Sequence, residues 1–177
     1  KLFTSANLFK GKKKCIFSVV RYGNVLGSRG SVIPLFLKQN KTQKFFTVTD
    51  KNMTRFNITL EDSVKFVLKS INLMKGGEIF IPKMPSYKIL DVIKSIKKNL
   101  KIKYIGIRPG EKVHEELICE SDSLNTIIKN DHYIILPSYK KIKFKNKIFS
   151  YNSRNNKNFL TIKNLELLIS KFKRDFQ

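Results

Sequence analysis

The 177 residues hold 36 Lys+Arg against 13 Asp+Glu, a formal net charge of +23, and a hydrophobic share of 41% that supports a packed core and argues against global disorder. No apolar stretch approaches the roughly twenty residues of a membrane helix, and the opening Lys1-Leu2-Phe3-Thr4-Ser5-Ala6-Asn7 lacks the apolar region of a secretory leader. Only six of the basic residues are arginine, and the thirty lysines are spread along every segment, a pattern unlike the Arg-rich stripe of a specific nucleic-acid reader.

The chain does not begin with methionine and reads as the later part of something longer. Residues 2–9 read as the end of a helix closed near Gly11. The apolar run at 15–20 reads as a buried strand, and Arg21-Tyr22-Gly23-Asn24-Val25-Leu26-Gly27-Ser28-Arg29-Gly30 follows it. A strand ending in a polar side chain and a Gly/Ser loop is how open α/β sheets build ligand sites at their carboxyl edge. In that loop Asn24 can donate and accept, and Arg29 brings a planar cation.

Residues 34–38 predict a short helix with Val32, Leu35 and Phe36 inward, and Phe45-Phe46-Thr47-Val48 a short strand. The clearest helix is 59–72: Thr59 can cap it, Glu61 and Asp62 occupy its first turn, and Val64, Val67, Leu68 and Ile71 form the expected inner face. Gly76-Gly77 ends that unit ahead of a strand at 78–82. A helix is expected from Ser86, with Ile89, Leu90, Ile93 and Ile96 on one face, then a strand at 101–107 and a short helix at 111–118 with Val113 and Leu117 inward. Residues 133–136 suggest an edge strand, 140–157 a mobile polar loop, and 161–172 an amphipathic helix carrying Leu165, Leu168 and Ile169. Strands alternating with helices mean an α/β protein, with too few strong strands for a complete doubly wound sheet.

Cys15 and Cys119 are far apart, and neither they nor His114 and His132 have metal-ligand spacing, so no metal site is expected and the thiols suit a reducing cytoplasm. In a chain so rich in lysine, positions that hold arginine call for a flat guanidinium. Arg21, Arg29, Arg55 and Arg108 all stand in compact motifs beside Gly, Pro, Thr or Phe, where the guanidinium can fork onto phosphate or make a structural carboxylate pair. Arg55, in Met53-Thr54-Arg55-Phe56, reads either as a phosphate clamp or as a partner of Asp50 or Glu61. The rigid turn Arg108-Pro109-Gly110-Glu111 throws its cation and carboxylate to one side, which suits a sugar phosphate, or lets the two pair with each other. His114 and Glu115 read as packing or cap chemistry rather than a catalytic dyad. No nucleophile or acid–base pair stands out, Tyr22 and Lys1 are not at Tyr-x-x-x-Lys spacing, and Gly23, Gly27 and Gly30 do not form a dinucleotide fingerprint.

Taken together, the run from Arg21 to Pro34, Met53-Thr54-Arg55-Phe56, Gly76-Gly77-Glu78-Ile79-Phe80-Ile81-Pro82-Lys83 and Ile107-Arg108-Pro109-Gly110-Glu111-Lys112-Val113-His114-Glu115 resemble, in order and spacing, the C-terminal half of the extended short-chain dehydrogenase/reductases. More closely, the chain is similar to the inverting UDP-N-acetylglucosamine 4,6-dehydratases of polysaccharide biosynthesis, over nearly its whole length and most weakly at 140–157. The resemblance implies an extended Rossmann-type α/β fold whose N-terminal Rossmann half is missing here: 1–30 would end the NADP-binding half, 31–138 would bind the nucleotide sugar, and 139–177 would be a basic loop and closing helix.

It further implies a hydro-lyase that removes hydride from C4 of the sugar, loses water across C5–C6 and returns the hydride to C6 with inversion at C5, with NADP regenerated. The catalytic Tyr-x-x-x-Lys pair would lie just upstream of Lys1, leaving no catalytic residue in this chain. Asn24 would touch the diphosphate or sugar of UDP-N-acetylglucosamine or a similar UDP-sugar, Arg55 would clamp a phosphate, and Arg108 and Glu111 would hold the ribose and diphosphate. Val25, Leu26, Gly27, Ser28 and Arg29 would line the nicotinamide side of NADP. A cytoplasmic homo-oligomer without membrane or specific nucleic-acid partners is the implied full-length protein. The alternatives are a UDP-sugar 4-epimerase or retaining dehydratase on the same scaffold and, from another class, a basic nucleic-acid-binding module.

Overall fold

A computed structural model describes residues 2–99, 101–140 and 147–175. The chain divides into two units that interleave along the sequence, and each draws on three segments.

The first unit comprises Lys1–Tyr22, Leu60–Lys83 and Glu116–Asn152. Its four-stranded sheet runs Val19–Val20, Ile79–Pro82, His132–Ile135, Thr126–Ile128. The first pair is parallel and the other two antiparallel. The stretch at 132–135, expected at an edge, is therefore an interior strand, and its backbone is bonded on both sides. The strand expected over 15–20 shrinks to Val19–Val20 because a side chain takes over part of its ladder. Asn7 donates from Nδ2 to Phe17 O (2.8 Å), and its Oδ1 accepts from Phe17 N (2.9 Å). Glu78 is buried, and its Oε2 accepts from Gly76 N (2.7 Å), Lys75 N (3.1 Å) and Ser18 Oγ (3.0 Å), which fastens the Gly76-Gly77 turn to the sheet.

The helix Leu60–Leu73 forms where its cap and acidic first turn predicted, but on a different face. Ser63, Phe66 and Ser70 are buried, while Val64, Leu68 and Ile71 are 50%, 58% and 56% exposed. The small serines allow close approach, and each hydroxyl returns its proton to its own helix, Ser63 to Leu60 O and Ser70 to Phe66 O, so burial leaves no donor unmet. Within 140–157, residues 141–146 lie outside the described residues. The remainder is not all loop: Tyr151–Asn152 pairs with Glu116–Ile118, and Tyr151 is buried beside the Tyr133 ring, centroids 4.9 Å apart.

The second unit comprises Gly23–Thr59, Met84–Glu115 and Ser153–Gln177. It contains a three-stranded sheet, Asn24–Val25, Thr54–Ile58, Ser86–Lys88, parallel then antiparallel, and a parallel pair, Phe45–Val48 with Lys101–Tyr104. The expected helix start at Ser86 gives way to a strand, and the helix runs Ile89–Ile96. The short helix expected at 34–38 extends over Val32–Thr42. The closing helix Ile162–Asp175 begins with a reciprocal cap, in which Asn164 N donates to Thr161 Oγ1 (3.2 Å) and Thr161 N to Asn164 Oδ1 (3.1 Å). Phe36, Phe46, Tyr87, Val92, Leu165 and Ile169 lie in one apolar cluster, with Phe36 and Phe46 packed edge to face at 5.4 Å.

The helix expected at 111–118 is absent, and Glu116–Ile118 is a strand. The carbonyls that would close helical turns are engaged laterally instead: Thr54 N donates to Val113 O (3.1 Å) and Ser153 N to Glu115 O (2.7 Å). No helix among the described residues is long and apolar enough to cross a membrane.

Candidate functional site

Strand parity in the second unit places four polar side chains on one face of the three-stranded sheet. Asn24 stands opposite Asn57, and Arg55, two residues from Asn57, stands opposite Tyr87. Because side chains alternate along a strand, Asn24, Arg55, Asn57 and Tyr87 share a side, with Tyr87 seated in the apolar cluster of this unit, and Phe56 and Ile58 are buried on the other. Asn24 is exposed, while Asn57 and Tyr87 are buried.

Arg55 is held on several sides. Its Nη1 donates to Thr54 O (2.7 Å) and Val113 O (3.0 Å), Nη2 lies 3.2 Å from Met53 Sδ, and Nε is 3.8 Å from Glu115 Oε1. Its ion partner is therefore Glu115, neither Asp50 nor Glu61. The pair is largely enclosed, with side-chain exposures of 14% and 25%. Glu115 Oε2 also accepts from Phe56 N (3.0 Å). Burial pushes the Glu115 carboxyl above its usual 4.5, opposed by the Phe56 N–H and the Arg55 charge. The Tyr87 hydroxyl is raised by burial and then by Glu115, and lowered by Arg55, so these three groups act on one another.

Gly23 serves this arrangement. A Cβ there would collide with Phe56 Cβ and come within 3.3 Å of Glu115 Oε2. Next to it lies a hydroxyl network that the sequence did not disclose. Thr54 Oγ1 bonds His114 Nδ1 (2.8 Å) and Ser153 Oγ (2.7 Å), and Ser153 Oγ also accepts from Glu115 N (2.9 Å). His114 is thus a structural partner of Thr54, consistent with its reading as packing chemistry. Burial, then the charges of Arg154 and Arg55, hold its imidazole below the usual 6.5.

The turn at 108–111 has the expected rigidity: Glu111 N donates to Arg108 O (3.0 Å), and Gly110 takes φ +79°. Glu111 does not pair with the Arg108 guanidinium. Its Oε2 accepts from Arg108 N (3.2 Å), and its Oε1 accepts from Thr49 Oγ1 (3.4 Å). The guanidinium of Arg108 is exposed and has no partner among the described residues.

In the loop after Asn24, Leu26 N donates to Ile58 O (2.8 Å) and Ser28 N to Val25 O (3.2 Å). Gly27, at φ +71°, lies where any Cβ would overlap the ring of Phe172 from the closing helix. Arg29 is exposed without a partner among the described residues. Arg21, by contrast, is structural in the first unit. Its Nη1 donates to Leu117 O (2.7 Å) and pairs with Asp122 at 3.3 Å. No group of three or more His, Cys, Asp or Glu among the described residues could hold a metal ion.

The family described as "Polysaccharide biosynthesis protein" matches residues 1–137. The chain belongs to that family. The family match takes in Asn24, Arg55, Arg108, Glu111 and Glu115 and stops short of Ser153 and Phe172. The chain is similar to the UDP-N-acetylglucosamine 4,6-dehydratase (inverting) of Campylobacter jejuni subsp. jejuni serotype O:2, at 51% identity over 154 residues, 86% of this chain and 46% of that protein. It is also similar to the UDP-glucose 4-epimerase of Rickettsia canadensis, at 39% identity over 140 residues, 76% of this chain and 41% of that protein. The X-ray structure of Pen from Bacillus thuringiensis superimposes with a TM-score of 0.83 at 39% identity, covering 96% of this chain and 54% of that one. The chain spans about half the length of the curated relatives it matches. The α/β class read from the alternating pattern and the resemblance to polysaccharide-biosynthesis dehydratases both hold for this chain.

Proposed function

We propose that the full-length protein is an NADP-dependent UDP-N-acetylglucosamine 4,6-dehydratase that inverts C5, and that the second unit supplies its contacts to the nucleotide part of the substrate. The observation that carries this reading is the Arg108 guanidinium, without a partner among the described residues, on a rigid turn whose Glu111 carboxylate accepts from Arg108 N, in a chain 51% identical to an inverting dehydratase. Arg108 forks onto the diphosphate, Glu111 accepts from a ribose hydroxyl, and Asn24 reaches the diphosphate or sugar from the sheet face it shares with Arg55. Arg55 has two Nη1 contacts to carbonyls, so it meets the anion through Nη2 alone. These contacts lie away from the reacting carbons and hold the sugar in register for hydride transfer.

The segment Val25 to Arg29 fits a nucleotide cofactor in two respects. Among the described residues, Arg29 offers an unpartnered cation, and none lies within 4 Å of the position a Cβ would take on Gly30. NADP, when bound, supplies the hydride acceptor and donor of the internal redox cycle. The acid–base pair is expected upstream, so the 177 residues by themselves are expected to yield no 4-keto sugar. The setting is cytoplasmic, and the working form is a homo-oligomer.

The test is product analysis by NMR after incubating the full-length protein with UDP-N-acetylglucosamine and NADP. A 4-keto-6-deoxy sugar inverted at C5 is expected. Retention at C5, or a product epimeric at C4 that keeps its oxygen at C6, assigns the reaction instead to a retaining dehydratase or a 4-epimerase. The similarity to a UDP-glucose 4-epimerase makes the latter the second reading.

A further inference from the structure

We infer that Glu115 is a positioning residue that sets the guanidinium of Arg55 toward the anion, an inference that rests on the reading of Arg55 as a nucleotide-sugar contact. An arginine carries five N–H donors in a fixed plane, and what it offers a ligand is whatever the protein leaves over. Here Nη1 is committed to Thr54 O and Val113 O, and Nε faces the Glu115 carboxylate. Nη2 has only the weakly accepting Met53 Sδ among the described residues, so that one edge of the plane lacks an oxygen acceptor. The two Nη1 bonds alone leave the guanidinium free to tilt about the line between its acceptors. The carboxylate at the opposite Nε edge supplies the third point that stops it.

Glu115 can act in this way because it is itself immobilised at three places. Oε2 is tied to Phe56 N (3.0 Å), its backbone N–H to the fully buried Ser153 Oγ (2.9 Å), and its carbonyl to Ser153 N (2.7 Å). Gly23 has no side chain to displace it, since a Cβ there would press on Oε2 at 3.3 Å. The first glycine of the 21–30 motif thus makes room first for Phe56 Cβ and then for this carboxylate. A buried carboxylate costs solvation, and burial does raise its pKa. An apolar residue of the same volume would pack at lower cost, but it would leave Arg55 unfixed.

The experiment compares UDP affinity by calorimetry in the full-length protein for Glu115→Gln, Arg55→Lys and the double variant. Glu115→Gln keeps an oxygen for Phe56 N–H and removes the charge. It is expected to weaken UDP binding about tenfold and to shift the melting temperature by less than ~2 °C. In the Arg55→Lys background it should change affinity by less than about twofold, because its effect passes through Arg55. Independent, multiplying effects, or an unchanged affinity in Glu115→Gln, would overturn the inference. If Glu115→Gln does not fold, Glu115→Asp takes its place, since its carboxylate is one methylene further from Nε. It should weaken UDP binding in the same direction, and an unchanged affinity would overturn the inference equally. A full-length protein that binds no UDP overturns the functional reading and this inference with it, whereas normal UDP binding insensitive to Glu115 overturns this inference alone.

Discussion

Thr54 and Ser153 are 99 positions apart in the chain, yet their hydroxyls share a 2.7 Å hydrogen bond in the buried interior of the second unit. Ser153 Oγ also accepts from Glu115 N, so one hydroxyl joins the strand Thr54–Ile58 to the segment that follows the 108–111 turn. Ser153→Ala would leave the Glu115 N–H unmet and take a hydrogen-bond partner from Thr54. A loss of about 1–3 kcal/mol in urea-unfolding stability is expected, the cost of orphaning buried polar groups. A loss near zero would mean that neither group depends on Ser153.

Glu78 makes the stability of the first unit depend on acid. Burial raises its carboxyl, but the N–H groups of Lys75, Glu78 itself and Gly76, together with the Ser18 hydroxyl, prevail and hold it below 4.5. With the folded value below the unfolded one, its stabilising contribution is present above about pH 4.5 and is lost as pH falls through the lowered value. Glu78→Gln should therefore destabilise the protein at pH 7, and the difference from the unaltered protein should shrink through the acid limb. Parallel unfolding curves from pH 7 to pH 3 check this. A difference constant across that range would assign the loss to packing rather than to charge.

Arg108→Ala in the full-length protein is expected to weaken UDP binding by roughly 1.5–3 kcal/mol, the scale of a charge-assisted hydrogen bond. Its guanidinium makes no hydrogen bond or ion pair with the described residues that the substitution would break, so the melting temperature should hold. Calorimetry reads the first effect and thermal unfolding the second. Unchanged UDP affinity would remove Arg108 from the site.

Gly27 and Phe172 form a coupled pair. Gly27→Ala places a side chain at φ +71°, which costs on the order of 1–2 kcal/mol, and drives its methyl into the Phe172 ring. Phe172→Ala opens that space at the expense of packing against the core cluster. The double variant should be less destabilised than the sum of the single ones, as expected for residues in contact. Strict additivity in thermal unfolding would show that the ring moves aside without strain.

The helix at 60–73 shows how far local chemistry reads. Its start near Thr59 follows from cap and dipole, which involve only neighbours, but the periodicity of Val64, Leu68 and Ile71 pointed to the wrong face. Serines can be buried where they bond back to their own helix, so apolarity alone does not select the inner side. The 111–118 segment failed in the opposite sense. Its residues suit a helix, but its carbonyls meet Thr54, Arg55 and Ser153, all supplied from elsewhere in the chain. Glu115 stood inside a motif already singled out, and only its enclosure beside Arg55 separates it from a surface carboxylate.

The amino-acid order by itself determined what depends on a few adjacent residues: the α/β alternation, the Phe45–Val48 strand, the rigid turn at 108–111 and the motifs that carry the family resemblance. Tertiary structure alone decided how much of each guanidinium is left for a ligand. Arg21 is engaged by Leu117 and Asp122, Arg55 by Val113 and Glu115, and Arg108 by none of the described residues. The reason is physical: a guanidinium takes whichever carbonyl or carboxylate chain closure brings within about 3 Å, and separations such as the 59 positions between Phe56 and Glu115 leave no periodic trace in the sequence.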